Sequence, residues 1–408
     1  MPKVSVTPQL TYARINKNKE GICLEVYLDH SATTPVDPEV VEAMAPYWSL
    51  HFGNPSSPHR LGVEAESVLT QCRRFIAQTM QVNPNEIVFT SGGTESNNLA
   101  ILGYARAQYK PGRIITTSIE HPSVLNPISY LRANLGWQAT KLPVNSHGKI
   151  DPADLAGAIS PDTSLVSIML VNNEIGSIQD LAAISEIIAA ANRKRRQKIV
   201  FHVDACQAFG TVPIDLAGLQ IDLLSISSHK IFGPKGIGLL YVKTGIHLQP
   251  LLFGGGQEGG LRSGTENLPA IVGLAKAVQL AMTGFPHRAP ALAELRSRLV
   301  TRLMQIPGTF CNSPPDGAPH IVSIRYEGVK AEVLVHFLEQ KGVYLSMGAA
   351  CSSRKNKASH VLQAIGLSPD QASSTVRIGL SPKLSPEQID YACDIIEASV
   401  REVRDIYG

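Results

Sequence analysis

The chain has 408 residues, of which 44% are hydrophobic and 17% charged, with a formal net charge of +3. That balance suits a globular protein with a sizeable core, built as a large domain and a smaller one, and is too weakly basic for direct nucleic-acid binding as the main role. No apolar run is long enough to span a bilayer, so no membrane association is expected. Residues 1–24 mix Asn16, Lys17, Asn18 and Lys19 with apolar residues and lack the hydrophobic centre of a secretion signal. The cysteines Cys23, Cys72, Cys206, Cys311, Cys351 and Cys393 lie far apart, with no Cys-x-x-Cys pair. Neither a metal site nor a disulfide framework is indicated, and a reducing cytoplasm is the expected setting.

In chain order, residues 25–28 read as a short strand leading into Asp29-His30-Ser31-Ala32-Thr33-Thr34-Pro35. Residues 38–50 and 63–80 have helical spacing, separated by a loop that contains Gly53-Asn54-Pro55. Strands at 86–89, 113–117, 165–171, 199–203 and 221–226 then alternate with helical stretches such as 97–107 and 181–196. This alternation predicts an α/β domain with a mostly parallel sheet flanked by helices. Ligands of such sheets gather outside the carboxyl ends of the strands. Residues 90–94, His121, Asn173, residues 204–207 and residues 227–230 all stand at strand ends. The basic run Arg193-Lys194-Arg195-Arg196 reads as a solvated helix end.

Residues 254–264 form a glycine-rich loop, 270–282 a helix, and 286–290, with Pro286 and Pro290, a break. From Ala291 the pattern changes to helix, strand, helix, strand. The division expected is therefore a large domain over 39–285 and a smaller α+β domain from 1–38 and 286–408.

The chemistry centres on Ser227-Ser228-His229-Lys230, which follows an apolar strand. A lysine placed among hydroxyls and an imidazole can form a Schiff base with an aldehyde cofactor such as pyridoxal 5'-phosphate. Ser91-Gly92-Gly93-Thr94 lies between a strand and a helix, where free backbone N–H groups suit a phosphate. Asp204, in His202-Val203-Asp204-Ala205-Cys206-Gln207, is placed to pair with a pyridinium nitrogen. His121 can stack on such a ring and move protons. Arg377, inside a strand-like run, suits a substrate carboxylate. Cys351 lies among small residues and serines, followed by Arg354, Lys355 and Lys357, a setting that favours the thiolate.

These segments, with Val171-Asn172-Asn173-Glu174-Ile175-Gly176 and Arg262-Ser263-Gly264-Thr265, resemble the cysteine desulfurases of the class V, fold-type I pyridoxal-phosphate enzymes, from about Tyr27 to the C-terminus. The resemblance implies conversion of L-cysteine to L-alanine, with the sulfur passed to a cysteine as a persulfide. It implies Lys230 as the Schiff-base lysine and base, Asp204 on the pyridine nitrogen, Gln207 on the ring hydroxyl and His121 stacked on the ring. It places Gly93, Thr94, Ser227, Ser228 and His229 around the phosphate, with Thr265 reaching in from a partner subunit of a homodimer. Asn173 and Arg377 would fix the substrate carboxylate, and Cys351 would accept the sulfur. The distance from Cys351 to Ser359-His360-Val361-Leu362 matches the long-loop branch, whose sulfur-acceptor partners are iron–sulfur scaffolds and tRNA-thiolation enzymes. Here Gly348-Ala349-Ala350-Cys351-Ser352-Ser353 replaces the branch's usual Gly-Ser-Ala-Cys-Thr-Ser. The competing readings are a selenocysteine lyase or another class V aminotransferase and, from a different class, a non-catalytic scaffold of the same fold.

Overall fold

The computed structural model describes residues 15–18, 21–348 and 359–407. Its centre is a seven-stranded sheet. In spatial order the strands are Ile87–Thr90, Gly238–Val242, Leu223–Ser227, Val200–Asp204, Thr163–Met169, Arg113–Thr117 and Gln138–Leu142. Only Gly238–Val242 runs antiparallel to its neighbours. Five of the seven strands are buried at every residue, as expected of a sheet covered on both faces.

Alternation along one strand shows how the layers are built. Phe201 and Val203 face a core that includes Leu69 and Ile76 of the helix Arg60–Met80 and Leu274 and Val278 of the helix Leu268–Thr283. Val200 faces the opposite core, with Tyr104, Ile128 and Leu131. His202 shares the Val200 face, where it is fixed between the Ser167 and Ser225 hydroxyls at 2.8 and 3.0 Å.

A second, antiparallel sheet has the order Thr309–Cys311, Ile321–Tyr326, Thr375–Gly379, Ser346–Met347. Its core draws on the helices Phe285–Leu303, Ala331–Gln340 and Pro386–Tyr407. Val26 and Leu28 belong to this core, and Val26–Tyr27 pairs in parallel with Val343–Tyr344. The chain then bridges from Asp29 to Gly379 before reaching the first sheet's strand ends. At Gly379 a side chain would stand 2.4 Å from the Ser31 nitrogen, so only glycine admits that crossing.

The break expected at 286–290 is instead helical. The helix Phe285–Leu303 runs through Pro290, and the chain bends by 72° between this helix and Leu268–Thr283, at Gly284. Pro286 falls in the first turn, where its missing N–H has no partner to lose. Pro290 forfeits one backbone bond, which burial of Leu292, Leu295, Leu299 and Leu303 outweighs. The sequence also conceals the strand Gly238–Val242, because its flanking glycines and proline read as a turn. Among the described residues no single helix is long and apolar enough to cross a membrane.

Candidate active site

The strand ends open on one cavity of about 550 Å³. It is lined by Gly93, Thr94, His121, Asn173, Asp204, Gln207, Ser227, His229, Lys230 and Arg377, together with Ser31, Ala32 and Asn97. The parallel register explains the convergence: Met169 pairs with Asp204, and Asp204 with Ser225, so successive strands end at one level.

One end of the cavity is a phosphate-sized cradle. Gly92 takes a φ of 148°, and the helix Gly93–Asn98 starts directly after it. Gly93 and Thr94 of this first turn line the cavity beside Ser227 and His229, and the opening N–H groups of a helix have no partner within it. Burial pushes the His229 imidazole down to about 4, with the Lys230 ammonium as the next cause, so it presents a neutral ring near pH 7. Its Nδ1 lies 3.1 Å from the Thr33 hydroxyl.

Asp204 forms the floor. It is buried, and its carboxylate accepts from Asn97 Nδ2 at 2.7 Å and from the Cys206 backbone N–H at 2.9 Å. Among the described residues it has no ion-pair partner, although a buried carboxylate is costly without one. A protonated heterocyclic nitrogen in the cavity would supply the missing cation.

Lys230 sits on the opposite wall. Its Nζ donates to the carbonyl oxygens of Ser31 and Ala32, at 2.6 and 2.8 Å. Gln207 Nε2 donates to the same Ser31 carbonyl at 2.9 Å. His121 begins the helix Pro122–Asn134, and its Nδ1 accepts the Ser123 backbone N–H at 3.1 Å. Burial pushes its pKa down, which the Asp204 carboxylate opposes. Arg377 closes the far end. It is 3% exposed and donates to the Asn173 carbonyl at 3.1 Å and to Asp29 Oδ1 at 3.1 Å, while its Nε is buried without a partner. A buried donor of this kind, on a guanidinium, suits a carboxylate ligand.

Buried carboxylate, amine, imidazole and anion cradle thus surround one space, and these residues fit pyridoxal phosphate. Two expected residues do not line it. Ser228 turns its hydroxyl toward Gly233, where an added side chain would stand 2.0 Å from that oxygen. Ser227 and His229, not Ser228, therefore face the cradle, because the chain leaves the strand for a tight turn between Ser227 and Ser228. Thr265 is exposed and lines a separate depression of about 170 Å³ with Glu258 and Arg262. Cys351 lies outside the described residues.

A family model described as aminotransferase class-V matches residues 26–392. The protein "Cysteine desulfurase IscS" of Methanosarcina thermophila is 43% identical over 383 residues, 93% of each chain. The chain belongs to the class-V aminotransferase family, in its cysteine desulfurase branch. The same-named protein of Photorhabdus laumondii is 44% identical over 390 residues, 94% of each chain. Among solved structures, a NifS-like protein matches this cysteine desulfurase chain with a TM-score of 0.85 at 37% identity, over 92% of this chain and 98% of that one. A structure titled "SspA in complex with cysteine" matches with a TM-score of 0.76 at 39% identity, over 87% and 99%.

Sequence reasoning missed several residues of this cysteine desulfurase site. Ser31 and Ala32 act through backbone carbonyls, which no residue type announces. Asn97 reaches Asp204 from inside a helix. Glu120 is fully buried, bonded by the Thr117 hydroxyl at 2.7 Å and the Met169 N–H at 3.0 Å, and burial pushes it up to about 8. Its position next to His121 was the available signal.

Proposed function

We propose that the chain converts L-cysteine to L-alanine with pyridoxal phosphate and passes the sulfur to Cys351 as a persulfide. The observation that carries this is the convergence of Lys230, Asp204, His121 and Arg377 on one cavity. Pyridoxal phosphate, when bound, supplies a carbonyl for an amine and a ring that draws electrons from Cα. The N–H groups of Gly93 and Thr94, with Ser227 and His229, would hold its phosphate. Asp204 would keep the proton on its ring nitrogen, Gln207 would bond its ring hydroxyl, and His121 would stack on its face. Arg377 and Asn173 orient the substrate carboxylate. Lys230 Nζ takes the proton from Cα. The Cys351 thiolate attacks the substrate sulfur, the bond from that sulfur to Cβ breaks, and the carbon skeleton is protonated and leaves as alanine.

Residues 39–285 are read as the large domain, and 1–38 with 286–408 as the small one. The active unit is read as a homodimer, in which Thr265 completes the phosphate site of the partner. The setting is cytoplasmic, and the acceptor is an iron–sulfur scaffold or a tRNA-thiolation enzyme.

The test uses three proteins incubated with L-cysteine. Wild type should show cofactor absorbance, release alanine and carry persulfide on Cys351. Lys230→Ala should release none. Cys351→Ala should keep the absorbance and carry no persulfide. Protein-bound sulfur formed by Cys351→Ala would overturn the assignment of the nucleophile, and a protein colourless with added pyridoxal phosphate would overturn the whole reading.

A further inference from the structure

Four neighbouring strands of the large sheet, Val200–Asp204, Thr163–Met169, Arg113–Thr117 and Gln138–Leu142, run parallel, so the segments that lead into them meet along one rim. This rim is at the amino ends, separated from the cavity by a strand's length of about 17 Å. Residues 104–113, 132–137, 159–163 and 193–199 form it. They hold nine of the chain's 37 lysines and arginines but only one, Asp162, of its 34 acidic residues. The overall charge of +3 is an average that conceals this asymmetry.

Hydrogen bonds join the segments into one surface. Arg195 donates to the carbonyl oxygens of Ser160, Pro161 and Thr163 at 2.9, 2.8 and 2.5 Å. Gln197 Nε2 donates to Gln108 Oε1 at 3.2 Å, and the Gln138 N–H to the Gly112 carbonyl at 2.9 Å. Asp162 is already paired with Arg113 at 3.3 Å. Asp222, just before the next strand, is paired with Lys243 at 3.4 Å.

Part of the charge has an ordinary cause. Arg106, Arg132 and Arg193 each stand in the last turn of a helix, where the dipole favours a cation. Lys110, Lys194 and Arg196 lie past those helix ends, are exposed and, among the described residues, pair with no carboxylate. Unpaired like charges gathered in one place cost stability, a cost that a bound polyanion removes. Tyr109, beside Lys110, is fully exposed, so its ring packs on nothing in the protein. Cations suit phosphate oxygens, and an exposed ring offers a stacking face to an unpaired base.

We propose that this rim is a docking surface for unpaired RNA, with phosphates on Lys110, Lys194 and Arg196 and one base on Tyr109. The loops and ends of RNA present such bases, whereas an acidic protein surface offers carboxylates alone. The surface is separate from the catalytic cavity and does not depend on the reaction read there.

The experiment titrates holoenzyme into a fluorescent oligouridylate RNA of about 12 nucleotides and reads anisotropy at salt concentrations from about 50 to 200 mM. Wild type should bind, with affinity falling as salt rises. Lys194→Gln with Arg196→Gln should weaken binding roughly tenfold or more and reduce the slope of log affinity against log salt by about 1.4. Tyr109→Ala should weaken it about fivefold or more without changing the slope, and Tyr109→Phe should restore it. Lys330→Gln with Arg401→Gln, which removes two exposed cations elsewhere, should bind like wild type. Unchanged melting midpoints show that the variants are folded. No binding by wild type, an equal loss in the control pair, or unchanged affinity in Tyr109→Ala would overturn the proposal. An acidic peptide of the same length bound as tightly as the RNA would also overturn it, in favour of a protein partner.

Discussion

Gly93 faces the thiol of Cys206 so closely that a methyl group built on it would stand 2.4 Å from Cys206 Sγ. The first turn of the phosphate cradle is therefore packed directly against the residue that follows Asp204 and Ala205. Gly93→Ala should destabilise the protein by about 1–3 kcal/mol through overpacking and weaken retention of pyridoxal phosphate. Gly93→Ala with Cys206→Ala should recover both, since the next neighbours, Ser227 Cβ and Cys206 Cβ, would be 3.5 and 3.8 Å away. Melting midpoints and cofactor titration check this, and a double variant no better than the single one would refute it.

Asn97 supplies the buried side-chain donor to Asp204 Oδ2. Asn97→Ala leaves that oxygen without a partner and frees the carboxylate to turn. A hydrogen bond to a charged group is worth about 1.5–3 kcal/mol, so the dissociation constant for pyridoxal phosphate should rise about tenfold or more. Absorbance titration at fixed pH measures it.

The buried imidazoles set an acid limit. His30, His202, His229 and His320 are each pushed down to about 4, chiefly by burial. Unfolded, they bind a proton near pH 6.5, so their contribution is complete above that pH and is lost as pH falls toward 4. Glu120 and Glu174 act oppositely, because burial raises them to about 8 and about 7. Their contribution is complete below the ordinary carboxyl range and is lost as pH rises through those values. Stability should therefore peak near pH 6.5. In melting-midpoint profiles, His202→Gln should flatten the acid limb and Glu120→Gln the alkaline limb.

Glu258 locks the edge of the large sheet. Its carboxylate pairs with Arg73 at 2.6 and 2.9 Å and also accepts the Phe89 backbone N–H at 2.8 Å. The Glu258 side chain is 2% exposed. Glu258→Ala would leave the Arg73 charge without its carboxylate and the strand N–H without an acceptor, at a cost of about 3–5 kcal/mol. Denaturant unfolding should show that loss, and a midpoint unchanged from wild type would refute the lock.

The sequence by itself determined the alternation of strands and helices and the chemistry-bearing residues at the strand ends. Period and composition are local properties, and residues such as Lys230, Asp204 and His121 carry their chemistry in their type. It did not reveal that Pro290 lies inside a helix, since the leucines that outweigh its cost are buried only against the second core. Nor did it show that Ser228 turns away from the cradle while Ser227 faces it, because one step across a strand end reverses a side chain's direction. The carbonyls of Ser31 and Ala32 on Lys230, and the Asp29 carboxylate on Arg377, join residues far apart in the chain. Only tertiary packing decides such contacts, because what brings them together is the closure of two cores on one crevice.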